Sequence, residues 1–183
     1  MKADKSKLGY VITSTRDSDS WYTPIKYIES VRYVLGSIDI DPFSSKEANS
    51  VVKASIYYTK EQDALSFDWA RFDNCFANPP YSKGLMQSCV DKLIEQRKEA
   101  SCKNTILLCN ASTDTKWFHK LLNNSSAMCL TSGRISFENI DGKSVSGNTK
   151  GQAFFLLTDD KSIISKFHLE FSKYGFVMNL KEV

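Results

Sequence analysis

The chain has 183 residues, which is enough for one domain with a substantial core and too few for two. Hydrophobic residues make up 42% and charged residues 25% of the sequence, and these fractions exclude disordered and fibrous proteins. The formal net charge of +3 is too small to indicate a nucleic-acid partner by itself. We therefore expect a single domain over residues 1–183 that begins with a polar arm at residues 1–20.

Cysteine usage and apolar patterning indicate the compartment. The five cysteines are odd in number, form no Cys-x-x-Cys pair and mostly lie in apolar runs, which predicts reduced core residues in a cytoplasmic protein. The charged start is not followed by the apolar core of a secretory signal, and no apolar run approaches membrane-spanning length. We expect no membrane contact, no metal site and no obligate protein partner.

The first predicted element is a helix that begins after Pro24, carries apolar residues at helical spacing and ends near Gly36. A short buried strand follows at residues 37–42, and its exit carries Asp41 and Pro42. The later predicted elements are strands at 54–59, 74–77, 105–109 and 152–157 and helices at 84–100 and from 113 or 114 onward.

Strands that alternate with helices predict an α/β fold with a mostly parallel sheet flanked by helices. Ligands of such sheets bind at the carboxyl ends of the strands. Between the last two predicted strands, residues 139–151 are rich in Gly, Ser, Asn and Lys, which predicts a mobile loop.

The tetrapeptide Asn78-Pro79-Pro80-Tyr81 directly follows the predicted strand at 74–77. One reaction that suits such a loop is methylation of the exocyclic amine of adenine. This amine is a poor nucleophile because its lone pair is delocalised into the ring, so an enzyme must localise the lone pair. The Asn78 side-chain carbonyl and the Pro79 main-chain carbonyl can each accept one amine hydrogen, the two prolines restrict the backbone that presents them, and Tyr81 can stack on the base. The sequence thus predicts a catalytic loop formed by Asn78, Pro79, Pro80 and Tyr81.

Other interpretations of this loop remain open on its residues alone. A proline pair also simply ends a strand, and such a tetrapeptide is expected by chance in on the order of one in a hundred chains of this length. The same chemistry suits the exocyclic amine of cytosine or the side-chain amide of a protein glutamine. A catalytically silent DNA-binding module is the alternative from another functional class.

Several separated segments resemble the phage-type DNA N-6-adenine methyltransferases, and together they cover most of the chain. The matching segments are Trp21-Tyr22-Thr23-Pro24, Asp41-Pro42 with Asn49, Tyr57-Tyr58-Thr59, Asp63-Ala64-Leu65 with Trp69, Asn78-Pro79-Pro80-Tyr81-Ser82, Thr113-Asp114-Thr115 with Trp117-Phe118-His119, and Gly133-Arg134-Ile135-Ser136-Phe137.

This resemblance implies a Rossmann-like, S-adenosylmethionine-dependent methyltransferase fold. Thr23 and Pro24 would contact the methionine part of the cofactor, Asp41 its amino group or ribose, and Asp63 its adenine or ribose. A helix start, a turn residue and a helix cap are the structural alternatives for Pro24, Asp41 and Asp63. The full set of expected cofactor-binding residues is Trp21, Thr23, Pro24, Asp41, Pro42, Phe43 and Asp63, while Trp69 fits either the core or the cofactor pocket.

The sequence departs from the pattern of many methyltransferases at one place, where it has Phe43-Ser44-Ser45-Lys46 instead of a glycine-rich turn.

The expected partner is double-stranded DNA, from which the target adenine would be flipped into the pocket. Arg134 lies just before a predicted apolar strand, where it would contact a phosphate or a base edge, with a structural ion pair as the alternative. Lys143 and Lys150 in the predicted loop can also approach DNA, although solvated lysines are the default interpretation. The chain is too short for a separate recognition domain, so specificity is expected from these loops.

Overall fold

Strands and helices alternate along the computed structural model, which describes residues 21–66, 68–69, 72–81, 84–99, 102–139, 141–145 and 147–181. The predicted arm at residues 1–20 lies outside the described residues. The helices are α1 (Ile25–Leu35), α2 (Lys46–Val52), α3 (Leu85–Lys98), α4 (Lys116–Asn124) and α5 (Lys161–Phe171). The strands are β1 (Ile40–Asp41), β2 (Ile56–Tyr57), β3 (Asn74–Ala77), β4 (Asn104–Asn110), β5 (Ala127–Thr131), β6 (Gln152–Leu157) and β7 (Gly175–Asn179).

The strands form one seven-stranded sheet in the order β2-β1-β3-β4-β6-β5-β7. Strands β2, β1, β3 and β4 run parallel, whereas β6 is antiparallel to both β4 and β5, and β7 is antiparallel to β5. The predicted α/β class with flanking helices is confirmed. The expectation of a mostly parallel sheet holds for one half of the sheet, and the Rossmann-like detail stays a prediction.

Two hydrophobic clusters cover the two faces of the sheet because side chains alternate along each strand. Phe154 and Leu156 of β6 join a cluster with α1 and α5, while Phe155 and Leu157 join the other cluster with α3 and α4. All five cysteines are free and buried, which confirms their predicted place in the core. None of the helices in the described part of the chain is both long and apolar enough to cross a membrane.

Some predicted boundaries are displaced. Helix α4 begins at Lys116 rather than at 113 or 114, because the preceding residues form a turn in which the Thr115 amide and hydroxyl both bond the Ser112 carbonyl. The predicted apolar strand after Arg134 is wrong. Strand β5 ends before that residue, and the Ile135 amide bonds the side chain of Gln152 instead of a neighbouring strand.

The carboxyl ends of the parallel strands meet at one edge of the sheet, which we call the carboxyl edge. Asp41 ends β1, Asn78 follows β3, and Asn110 ends β4. Gln152, the first residue of β6, lies opposite Asn110 at the same edge. The connection from β5 to β6, residues 132–151, also leaves from this edge, and we call it the β5–β6 arm.

Candidate active site

The predicted catalytic loop lies at the carboxyl edge. Strand β3 is held between β1 and β4, and its last residue, Ala77, is fully buried. Pro79 is buried and Pro80 exposed, whereas Asn78 and Tyr81 are half-buried. Because a Pro-Pro sequence has no amide hydrogen to donate, it ends the strand ladder at this point. The Asn78 side chain is thus presented at the end of a rigid strand.

Two hydrogen bonds hold the Asn78 amide in place. Its Nδ2 donates to Thr23 Oγ1 at 3.2 Å, and its Oδ1 accepts from the Tyr81 hydroxyl at 2.7 Å. Both contacts agree with the donor and acceptor ends of a side-chain amide. Burial raises the pKa of Tyr81 well above its ordinary value, so the phenol stays protonated and can donate. Thr23 is itself buried, and the loop is therefore tied to the residues that precede α1.

A small cavity adjoins Asn78 between the start of α1, the end of β1 and helix α2. It encloses 60 Å³, about the space of two water molecules, so a nucleoside-sized ligand enters only if the lining side chains separate. Four of the predicted cofactor-binding residues line it, together with residues that the sequence did not single out. The lining residues are Trp21, Tyr22, Thr23, Asp41, Phe43, Ala48, Val51, Val52, Phe76 and Asn78.

Asp41 places a carboxyl group in the wall of this cavity. The residue is only 3% exposed, and its Oδ1 accepts a hydrogen bond from the Phe43 amide at 3.2 Å. Burial raises the pKa of Asp41 to about 7, opposed by smaller lowering effects of hydrogen bonds from the Phe43 amide and the Ser44 side chain. A carboxyl group in this setting can bind a cation or ligand hydroxyls, because either interaction favours its ionised form.

The cavity residues fit a cofactor that combines a positive charge, hydroxyl groups and a flat ring. The Asp41 carboxyl can accept from an ammonium or hydroxyl group. The rings of Trp21, Tyr22 and Phe43 offer faces for stacking and for a positively charged sulfur. S-Adenosylmethionine presents all three features, so the donor set is compatible with it.

The remaining predicted cofactor-binding residues lie around the cavity or away from it. Pro24 is buried directly before α1, as the helix-start alternative expects, and Pro42 is buried next to Asp41. Asp63 is exposed, and its Oδ1 accepts from the Leu65 amide at 3.3 Å, which is the capping alternative. It does not line the cavity, and its role toward the cofactor stays a prediction.

Trp69 belongs to the core, where it is fully buried. Its indole nitrogen donates to the Ala64 carbonyl at 2.9 Å, and its ring packs edge-on against Phe43 at 5.8 Å between centroids. Trp69 therefore supports a cavity residue from behind and does not line the cavity.

The β5–β6 arm is joined to the segment that carries Thr23. Tyr22 and Glu138 exchange two main-chain hydrogen bonds of 2.8 and 2.9 Å, and Trp21 stacks on Phe137 with ring centroids 5.6 Å apart. The three predicted DNA-binding residues lie on this arm, and Arg134, Lys143 and Lys150 are all exposed.

A larger cleft of 610 Å³ lies at the opposite edge of the sheet, beside the start of β4 and the end of β6. It holds none of the predicted site residues. Its charged wall is partly neutralised within the protein, since Arg97 pairs with Asp159 at 2.7 Å and Lys103 with Asp73 at 3.0 Å. The smaller cavity, which adjoins the Asn78 amide and the buried carboxyl group, is therefore the candidate active site.

Residues 11–174 match the family described as DNA N-6-adenine-methyltransferase (Dam). A DNA N-6-adenine-methyltransferase of Escherichia phage T1 is 31% identical over 171 residues, which is 83% of this chain and 68% of the relative. The family match spans the predicted catalytic loop, the cavity and the whole β5–β6 arm.

Proposed function

We propose, on the premise that this chain belongs to the family of DNA N-6-adenine-methyltransferases, that it transfers a methyl group from S-adenosylmethionine to the exocyclic amine of an adenine in double-stranded DNA. Membership confirms the resemblance found in the sequence, and it makes the chain a DNA methyltransferase. The cofactor, the exact acceptor atom and the residue roles are the content of the proposal.

The observation that carries the proposal is the oriented amide of Asn78 beside a buried carboxyl group. Asn78 Oδ1 already accepts a hydrogen bond from a hydroxyl, that of Tyr81, and a carbonyl oxygen has a second lone pair for an amine hydrogen. In this arrangement the NH₂ group of Asn78 is bonded to Thr23, and Oδ1 lies on the side of Tyr81. An asparagine in this state presents an acceptor oxygen for the amine.

The residues act by positioning the amine. Asn78 Oδ1 and the Pro79 carbonyl would each accept one amine hydrogen, which localises the nitrogen lone pair and directs it at the methyl carbon. Tyr81 would stack on the flipped base. When bound, S-adenosylmethionine supplies a methyl group on a positively charged sulfur, and the sulfur is the leaving group that keeps the electron pair of the carbon–sulfur bond. Asparagine takes no proton, so the extra proton leaves to solvent once the nitrogen carries the methyl group.

The walls of the cavity would hold the cofactor beside this loop. Asp41 would accept from its ammonium group or ribose, and Trp21 and Phe43 would cover its apolar surface. Because the cavity is narrow, these side chains must separate when the cofactor enters. We expect the cofactor to displace the proton that the Asp41 carboxyl holds below pH 7.

The exposed cations of the β5–β6 arm would contact the DNA backbone or base edges. Arg134 and Lys150 lie on the two limbs of an arm that is bonded to the segment next to Thr23. Phosphate contacts of this kind make binding dependent on salt. Arg134→Ala should reduce the slope of log KM for DNA against log salt concentration by about one, whereas Lys161→Ala, an exposed cation at the start of α5, should leave the slope unchanged.

The decisive test uses labelled S-adenosylmethionine and unmethylated DNA, followed by digestion to nucleosides. The wild-type protein should yield N6-methyladenine. Asn78→Ala should lose kcat by about a hundredfold or more while retaining cofactor binding in calorimetry. Asn78→Asp retains an acceptor oxygen and should keep more activity than alanine, and Asn124→Ala, at the end of α4, should behave as wild type.

The other outcomes separate the rival acceptors. Label in methylcytosine would overturn the adenine assignment, and label in a protein with none in DNA would overturn the substrate class. Cofactor binding without transfer to any acceptor would identify a silent module.

A further inference from the structure

A buried glutamine connects the β5–β6 arm to the carboxyl edge. Gln152 is the first residue of β6, it is 1% exposed, and it is followed by five buried apolar residues in the same strand. Burying an amide among apolar side chains costs free energy unless its polar atoms are hydrogen-bonded. The partners of Gln152 therefore indicate what this side chain does.

Gln152 bonds both limbs of the arm at once. Its Oε1 accepts from the Ile135 amide at 2.7 Å. Its Nε2 lies 2.7 Å from the Lys150 carbonyl and 3.2 Å from Asn148 Oδ1. Asn148 closes the connection, because its Nδ2 donates to the Ile135 carbonyl at 2.9 Å. One amide group thus holds the outgoing limb and the returning limb together.

The same side chain joins the arm to β4, the strand that pairs with β3. Gln152 Nε2 lies 3.3 Å from Oδ1 of Asn110, the last residue of β4. The next residue, Ala111, donates its amide to the Gly151 carbonyl at 2.8 Å. Ala111 and Tyr81 both pack against the same hydrophobic cluster. The base of the arm is therefore bonded to the end of β4, and the residue that follows β4 packs against the same hydrophobic cluster as Tyr81.

The residues next to these contacts are the exposed cations. Arg134 directly precedes Ile135, and its Nη1 lies 3.5 Å from the Asn148 carbonyl. Lys150 accepts from Gln152 through its own main chain. A change in the Gln152 side chain would consequently move both cations relative to Asn78.

We infer that Gln152 is a positioning residue for DNA binding: it sets where Arg134 and Lys150 stand relative to the catalytic loop. The inference rests on the proposed function, since it needs DNA to bind across the arm and the loop together. Gln152 itself touches neither substrate nor cofactor. A purely structural glutamine would affect folding stability alone, whereas a positioning glutamine also affects the binding of DNA.

The experiment compares two buried glutamines in the full-length protein. Gln152→Met keeps the approximate size and removes the hydrogen bonds. Gln96→Met makes the same change in α3, where the Gln96 side chain is also 1% exposed and accepts from the Trp69 amide. Both variants should lower the thermal midpoint. Gln152→Met alone should raise the KM for DNA about tenfold, the loss expected when a base or phosphate contact is misaligned, with kcat at saturating DNA and the cofactor Kd unchanged.

A second variant keeps the inference testable if Gln152→Met does not fold. Asn148→Ala removes the bond that closes the two limbs and leaves β6 intact, and it should raise the KM for DNA in the same direction. An unchanged KM in the variants that fold would overturn the inference, as would an equal increase in Gln96→Met. Wild-type protein is assayed in the same reactions. If it forms no methyladenine, the proposed function fails on its own measurement, and the inference falls with it.

Discussion

Replacing Asp41 with asparagine tests whether the cavity retains a carboxyl group at the expense of stability. Burial raises the pKa of this group from its ordinary value of 3.8 to about 7. The unfolded chain therefore releases the Asp41 proton near pH 4, and the folded chain retains it to about pH 7. Between these values the unfolded state binds fewer protons, so the free energy of unfolding falls as the pH rises.

The difference between the two pKa values corresponds to an upper limit of about 4 kcal/mol at 1.36 kcal/mol for each pH unit. Asparagine is neutral at every pH, has nearly the same shape and can still accept from the Phe43 amide. We therefore expect Asp41→Asn to be more stable than the wild type by up to that amount at pH 8, with a midpoint raised by roughly 10 °C. Near pH 4 the two proteins should be equally stable.

Urea denaturation of cofactor-free protein at pH 4, 6 and 8 measures this difference directly. Asp141→Asn changes the same chemical group on the surface and is the matched control. The stabilised Asp41 variant should also bind S-adenosylmethionine more weakly, and the affinity of the wild type should rise with pH up to about 7 and then level off. A variant that is less stable than the wild type at pH 8, or a difference independent of pH, would refute the reasoning.

The remaining predictions concern the loop and the sheet. Tyr81→Phe keeps the ring and removes only the donor to Asn78 Oδ1, so it should retain near wild-type kcat, whereas Tyr81→Ala should lower kcat/KM about 10- to 100-fold through lost stacking. An inactive Tyr81→Phe enzyme would contradict this prediction and show that transfer requires the hydroxyl bond to Asn78 Oδ1. Gly175→Ala would place a methyl group 1.9 Å from the Leu130 carbonyl oxygen, and chemical denaturation should show a loss of about 1–3 kcal/mol or more. Gly133→Ala meets nothing within 4 Å and should match the wild type in the same assay, and equal stability of the two variants would contradict the prediction.

Contiguous sequence patterns predicted the elements that they span. Strands β3 and β6 begin and end at the predicted residues. Each contains a continuous run of apolar residues, and the residues that follow, Asn78-Pro79 after β3 and Thr158 after β6, mark its end. The predicted catalytic loop is contiguous too, and its position directly after β3 is confirmed. Strand β7 was not predicted. It is the outermost strand of the sheet and is partly exposed, with Phe176 66% exposed, so burial imposes little apolar pattern on its sequence.

Contacts between distant segments could not be predicted in the same way. Gln152 meets Asn110 only because β6 pairs antiparallel with β4, and the alternation of elements favoured a parallel sheet. Ile135 and Phe137 are apolar residues separated by one polar residue, which is the pattern of a strand. In the structure it arises from packing against the core, while the amide of Ile135 bonds Gln152. The signal that the sequence offered for the hydrogen bonds of Gln152 was a polar residue at the start of the apolar run 153–157.

A buried carboxyl group distinguishes the two edges of the sheet more clearly than cavity size does. In the described part of the chain, nine polar side chains are buried, and Asp41 is the one among them that can carry a charge. Three of the nine lie at the carboxyl edge. Thr23 orients Asn78, Asp41 faces the cavity, and Gln152 holds the arm. The buried polar side chains at the opposite edge, Thr105, Ser125, Ser126 and Thr158, are all neutral, and Thr158 donates to Asn104 at 2.6 Å. A buried carboxyl group whose ionised form is costly until a ligand favours it is the stronger sign of a binding site, and it lies next to the amide that would direct the acceptor nitrogen.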